Sequence, residues 1–409
     1  MMYHFHAAST ITRQLRRRPR EVLAKPSDAA SARSRLQGID ALRGLVMVLM
    51  LLDHLRETWF LHVAVADPID ARTALPALFA ARLAASLCAP VFVALTGIGA
   101  YLFASRHTVA ETRRYLVKRG LVLMALDLLV LSQLYWGVAA APTLWLQVIW
   151  CIGICMIVLA GLIGLSRRAL MIGGIVIVCG HNLLDTIRLT ADHPLFVPWA
   201  MLHQRDVIPL PFGLIAKTTY PVLPWIGVIA LGFSIGPWFL PTTASRDRAR
   251  NLVLMGGLMV TAFVLLRFAN VYGDAPWFTV PRAPLRTAMS FLALTKYPPS
   301  LLFLLLTLGV GTLLLASIER LPAGRIIAAL AAFGSAPMFF YLFHLAVLRL
   351  LYHAALAIRG PTHGTLFAVG SYGWVLAWYV ALIVPLYLPT AMFARLKARR
   401  RDLAWLRYL

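Results

Sequence analysis

Asp53, His54, Arg56 and Glu57 place four ionisable side chains within five positions of a stretch that is otherwise apolar. At helical spacing Asp53 can meet Arg56, and His54 can meet Glu57. One carboxylate would then sit against the guanidinium while Glu57 or Asp53 fixes the tautomer of the imidazole. That arrangement suits His54 either as a general base or as a nucleophile, with Arg56 stabilising a developing oxyanion. The competing reading of Asp53 and Arg56 is a structural ion pair at the outer end of the segment, where long side chains reach water. An Asp or Arg at the centre of a spanning helix costs about 2.5 to 3.5 kcal/mol. The cluster must therefore face a cavity or the interior of a bundle rather than lipid.

Further polar residues fall at a similar depth. They are His181 and Asn182 with Asp185 after them, Arg82, Arg267 and Asn270, His344 and Arg349, and Asp274 and Lys296 in a connecting loop. Any one alone reads as a satisfied structural residue. Their common depth favours a shared polar cavity, with His181, Asn182, Asp274, Lys296 and His344, together with His62, as candidate substrate-binding residues. Asp127 and Gln147 are costly in apolar surroundings, and the sequence names no partner for either. The four cysteines lie in apolar runs and signal neither a disulfide framework nor a metal site. Gly97 with Gly99, and Gly232 with Gly236, read as close helix packing. There is no phosphate-binding loop, and no strand pattern is evident.

The elements that must position these groups follow from composition. Of 409 residues 60% are hydrophobic and 13% charged, against roughly 45 to 50% and about 25% in soluble domains. So little charge cannot solvate so much hydrocarbon, which excludes a soluble enzyme and predicts an all-α, polytopic transmembrane helical bundle. Ten apolar runs of spanning length are expected near 41–65, 74–104, 116–139, 143–165, 169–184, 219–240, 251–269, 298–317, 325–357 and 364–393, the ninth kinked at Pro337. The formal charge of +23 would suggest nucleic-acid binding in a soluble protein. Here Lys and Arg gather in every second connection, so the positive-inside rule predicts both termini in the cytoplasm and no nucleic-acid partner. Three regions are expected: a basic, disordered tail over 1–38, a membrane domain over 39–393 and a basic C-terminal tail over 394–409. The connections on the other side, 185–218 and 270–297, are long and Pro-rich.

Several short motifs carry a resemblance. They are Arg35-Leu36-Gln37-Gly38-Ile39-Asp40-Ala41-Leu42-Arg43-Gly44, Leu52-Asp53-His54-Leu55-Arg56-Glu57, Ala89-Pro90-Val91-Phe92-Val93, Gly180-His181-Asn182, Pro224-Trp225-Ile226-Gly227 and Lys296-Tyr297-Pro298-Pro299-Ser300. On these the chain resembles the heparan-α-glucosaminide N-acetyltransferase catalytic-domain family of membrane proteins, in its bacterial branch. The resemblance implies acyl transfer across a bacterial inner membrane, with acetyl-CoA engaged from the cytoplasm and a glycan or other small acceptor offering an amine or hydroxyl on the far side. It implies no metal. In the animal enzyme an asparagine stands where His54 does, and the implicated histidine falls nearer His62. Both remain candidates, with His54 favoured by its charged neighbours. The phosphates of the coenzyme need cationic partners, for which Arg113, Arg114, Lys118 and Arg119 are candidates, although the positive-inside rule accounts for the same four. A homodimer is a further expectation. The alternative function is a secondary transporter or proton-coupled permease using the same intramembrane charges.

Overall fold

A computed structural model of the chain describes residues 26–132, 134, 143–322, 324–400 and 402–407. Residues 1–25 of the expected basic tail lie outside them. The first helix, α1 (Pro26–Trp59), begins where the described residues begin and runs on to the ionisable cluster. Next come α2 (Pro76–Ala85), α3 (Cys88–Ala104), α4 (Val109–Leu126), α5 (Val148–Leu162), α6 (Arg167–Gly180) and the short α7 (Phe196–Leu202). The second half holds α8 (Leu223–Ile235), α9 (Ser245–Ala269), α10 (Pro284–Leu292), α11 (Leu301–Arg320), α12 (Arg325–Ser335), α13 (Pro337–Arg359) and α14 (Tyr372–Arg399).

Helix starts follow local chemistry. Thr108 and Glu111 form a reciprocal capping box at α4, and the Ser300 hydroxyl accepts from the Phe303 N–H at the start of α11. These bonds satisfy amides that a helix cannot pair internally. Proline opens α2, α10 and α13, where its missing N–H costs nothing.

Among the described residues, six helical stretches are by length and composition apolar enough to cross a membrane: Pro76–Ala104, Arg167–Leu184, Ser245–Ala269, Leu301–Arg320, Pro337–Arg359 and Tyr372–Arg399. Three shorter apolar helices accompany them. The run expected over 325–357 is two helices broken at Ala336, because Pro337 cannot donate to the turn before it. The chain is mostly helical but not wholly so. Strands β1 (Thr143–Leu146), β2 (Val207–Pro209) and β3 (Ile215–Thr218) form a sheet in the order β1-β3-β2, with β1 parallel and β2 antiparallel to β3. Strands of three and four residues are too short to announce an alternating pattern, and β1 lies at the head of the apolar run over 143–165, which conceals it.

Two pairs of glycines set two of the helix crossings. A Cβ at Gly44 would run into the backbone of Leu330, and one at Gly334 into that of Asp40, so α1 and α12 touch backbone to backbone. Gly97 of α3 meets the backbone at Ile229 of α8, and Gly232 meets that at Ala94. Such contact suits membrane helices, whose association relies on close packing rather than on exclusion of water.

Candidate active site

The cluster at the end of α1 is completed by α2. Arg82 donates to both oxygens of Asp53, at 2.8 and 2.7 Å. Arg56 reaches Asp53 at 3.3 Å and Glu57 at 2.7 Å, and Arg82 lies 3.8 Å from Glu57. Two guanidiniums and two carboxylates thus neutralise one another in a nearly closed space, which is how buried charges are tolerated. The helical Asp53–Arg56 pair is present as spacing predicts. The partner of the imidazole is one that spacing does not predict. His54 Nδ1 lies 2.7 Å from Nε2 of His344, 290 residues away on α13.

That contact sets the proton positions. His344 Nδ1 lies 2.7 Å from the Phe340 carbonyl, which can only accept, so Nδ1 carries the hydrogen. In neutral His344 the Nε2 is then the acceptor, and His54 donates to it from Nδ1. The acceptor lone pair of neutral His54 is therefore on Nε2. A backbone carbonyl at the start of α13 fixes the tautomer of both rings, the part assigned to a carboxylate on spacing alone.

His54 lines a cavity of about 170 Å³ together with Asp53, Glu57, Asp127, Lys296, Tyr297 and Tyr341. Tyr341 meets the His54 ring edge-on at 5.7 Å. Asp127 accepts the N–H groups of Gln147 and Trp150 at 3.1 and 3.0 Å, capping the first turn of α5. This finds the missing partners of Asp127 and pins β1 and α5 beside the cavity.

A second cavity, of about 300 Å³, lies towards the N-terminal end of α1. Arg43, Arg119 and Lys397 line it with Met47, Leu95 and Met156. Met50, Phe92, Val148 and Tyr341 line both cavities, so the two share one wall. Arg43 and His54 are eleven residues apart on α1, or roughly 16 Å along its axis. Arg43 is held by Asp40 at 2.8 Å and by the Gly334 carbonyl at 3.0 Å, and Lys397 Nζ donates to the Ser335 carbonyl at 3.2 Å.

The other candidate residues divide. Arg119 lines this second cavity, whereas Arg114 and Lys118 are exposed and Arg113 donates to the Ala160 carbonyl at 3.2 Å. Arg56 is not among the residues lining the His54 cavity. His62 stacks on His363 at 4.0 Å, outside that cavity; partial burial and then the neighbouring His363 depress its pKa. His181 is a brace, with Nε2 2.8 Å from the Pro299 carbonyl. Asn182 accepts from the Leu301 N–H at 2.8 Å. Asp274 accepts from the Thr295 amide and from the hydroxyls of Thr295 and Ser300 at 2.9, 2.7 and 2.6 Å. Asn182 and Asp274 line a separate cavity of about 440 Å³, which shares Tyr297 with the His54 cavity.

Asp67 escaped sequence reasoning. Its two oxygens accept the backbone N–H groups of Lys296 and Tyr297 at 3.0 and 2.9 Å, so the loop after α1 holds the loop that supplies Lys296. Burial raises the pKa of Asp67, against the lowering effect of those N–H groups and of Lys296. A lone Asp in a loop carries no sequence signal of such a role. Arg267 organises the same region, donating to the carbonyls of Ala275, Ser290, Phe291 and Ala293 at 2.7 to 3.0 Å. Three of these close the C-terminal end of α10, where a cation is favoured. Among the described residues no group of three or more His, Cys, Asp or Glu is arranged to hold a metal ion.

The family model described as heparan-alpha-glucosaminide N-acetyltransferase, catalytic, matches residues 35–265, more than half of the chain. A search of curated proteins finds no match.

Proposed function

The chain belongs to the heparan-alpha-glucosaminide N-acetyltransferase catalytic family, a membrane acetyltransferase-type family, and from that premise we propose that it transfers an acetyl group from acetyl-CoA to a sugar amine or hydroxyl on the opposite side of a bacterial inner membrane. The observation that carries this reading is the wall shared by the two cavities. A donor on one side of Tyr341 and an acceptor on the other would meet beside His54. The proposed topology keeps ten crossings, the six apolar stretches joined by α1, α4, α5 and α8, with both termini in the cytoplasm.

The donor cavity suits a coenzyme thioester. Arg43, Arg119 and Lys397 bring three cations from α1, α4 and α14 to one cavity, and phosphates require such partners. The apolar walls beyond them accept the uncharged arm that carries the thioester. For a coenzyme entering from the cytoplasm, the acyl carbon would arrive at Met50, Phe92 and Tyr341.

In the proposed reaction His54 Nε2 takes the proton of the acceptor hydroxyl or amine as its oxygen or nitrogen bonds to the acyl carbon. The carbon–sulfur bond breaks, and the coenzyme leaves as thiolate into the donor cavity. The alternative order has Nε2 attack the thioester first, giving an acyl-imidazole that the acceptor then opens. Lys296, which lines the His54 cavity, would supply the positive charge for the oxyanion that sequence spacing assigned to Arg56. His344 would keep Nδ1–H of His54 hydrogen-bonded as the ring gains a proton.

The test is reconstituted protein incubated with labelled acetyl-CoA and an amino-sugar acceptor. Acceptor-dependent appearance of free CoA and of acetylated sugar supports the transferase. Uptake of a solute into vesicles with no thioester turnover would instead make the chain a permease.

A further inference from the structure

The cytoplasmic ends of α9 and α11 in the proposed topology bound an open groove of about 730 Å³, which shares no lining residue with either site cavity and is lined by Arg246, Arg250, Val253, Leu254, Glu319 and Arg320. Its one carboxylate from α11 is already committed: Glu319 accepts from buried Arg248 at 3.0 and 2.8 Å. Arg246, Arg250 and Arg320 are exposed, and among the described residues none of the three makes an ion pair. Asp247 is the remaining acid on the rim, so the groove is cationic.

Below the arginines, the same face of α9 is mostly hydrocarbon, with Thr261 its one hydroxyl. Leu254, Leu258, Leu265 and Phe268 recur at helical spacing and are 62 to 71% exposed. The helix has 25 residues, about 37 Å at the helical rise and enough to cross a hydrocarbon core of roughly 30 Å. Guanidiniums at one end of a lipid-length apolar stripe match a molecule with an anionic head and long acyl tails. A free anion would explain the arginines and leave the stripe unused. The positive-inside rule explains cations at this end of the helix, but not why one arginine is turned inward to neutralise Glu319 while three ring the groove.

We propose that the groove formed by α9 and α11 is a binding site for an anionic phospholipid, its phosphate held by Arg246, Arg250 and Arg320 and an acyl chain laid along Leu254 and Leu258. This goes beyond the acetyltransferase reading and stands without it.

The test uses the full-length protein in detergent doped with equal amounts of phosphatidylglycerol and phosphatidylcholine, with bound lipid counted by native mass spectrometry. The wild type should retain phosphatidylglycerol at least roughly tenfold over phosphatidylcholine, since each basic residue near a lipid surface contributes on the order of a fivefold preference. The R246Q/R250Q/R320Q variant should lose that preference, and each single change should weaken it in protein whose fold is checked by thermal unfolding. A control with the same loss of charge elsewhere, R106Q/R168Q/R325Q, should keep it. Equal retention of both lipids by the wild type would overturn the site, as would equal loss in the control. Displacement of phosphatidylglycerol by an equal concentration of inorganic phosphate would make it a free-anion site and overturn the lipid.

Discussion

The imidazoles of His54 and His344 are joined nitrogen to nitrogen at 2.7 Å, and the Phe340 carbonyl behind His344 decides which nitrogen of each carries the hydrogen. That contact leaves the acceptor lone pair of neutral His54 on Nε2, the atom proposed to take the proton of the acceptor. His54→Ala should abolish transfer in a protein that still inserts and folds, because a general base contributes about 10² to 10⁴ in rate. His62→Ala, outside the cavity, should leave turnover near wild type. Turnover rates of the two purified variants decide between these histidines.

His344 is a positioning residue, and its removal should have a different signature. In His344→Ala the Nδ1–H of His54 loses its acceptor, so the two tautomers of His54 compete. Turnover should fall by about tenfold or more, the pH–rate profile should move, and KM for acetyl-CoA should change little. An unchanged pH profile would mean that His344 only fills space.

Arg82 and Asp53 side chains are each 11% exposed and joined by two hydrogen bonds. Arg82→Ala leaves Asp53 with Arg56 alone, and breaking a buried pair from one side costs about 3 to 5 kcal/mol. Thermal unfolding in detergent should show the loss. Arg82→Lys should recover only part of it, because an ammonium cannot present the planar guanidinium fork.

Asp67 couples pH to the loop that carries Lys296. Burial raises its pKa in the folded protein, so folding favours its protonated form. The sign follows: the stability it adds is fully present below the unfolded-state pKa of about 3.9 and is lost as pH rises through the higher folded value. Asp67→Asn removes this titration, so the difference in unfolding temperature between wild type and variant should vary with pH only from that reference value up to the raised pKa. Activity should also fall severalfold, since an amide places one donor against two backbone N–H groups that need acceptors.

The donor cavity makes its own prediction. Arg119→Ala and Lys397→Ala should each raise KM for acetyl-CoA by about tenfold, the worth of a charge-assisted contact, with little change in kcat. Arg114→Ala and Lys118→Ala, whose residues are exposed and line neither cavity, should change neither constant. Steady-state kinetics with varied donor separates the two pairs.

The sequence by itself determined that hydrocarbon outweighs charge, that the chain is mostly helical, and that the charges at 53–57 must be turned away from lipid. The Asp53–Arg56 contact was legible too, because a helix puts residues three apart within reach of each other; the same spacing did not foretell the ring that His54 meets. Only the tertiary structure decided the other partners. Asp53 goes chiefly to Arg82 of the next helix, His54 to a ring 290 residues away, and Asp67 to amides 229 and 230 residues away. Side chains leaving water pair with whatever donor or acceptor the packing delivers, and packing here is set by backbone contacts such as Gly44 on Leu330 and Gly334 on Asp40. The wall between the two cavities has the same origin. Met50, Phe92, Val148 and Tyr341 come from four helices, and no local pattern marks residues that meet only when the helices have crossed.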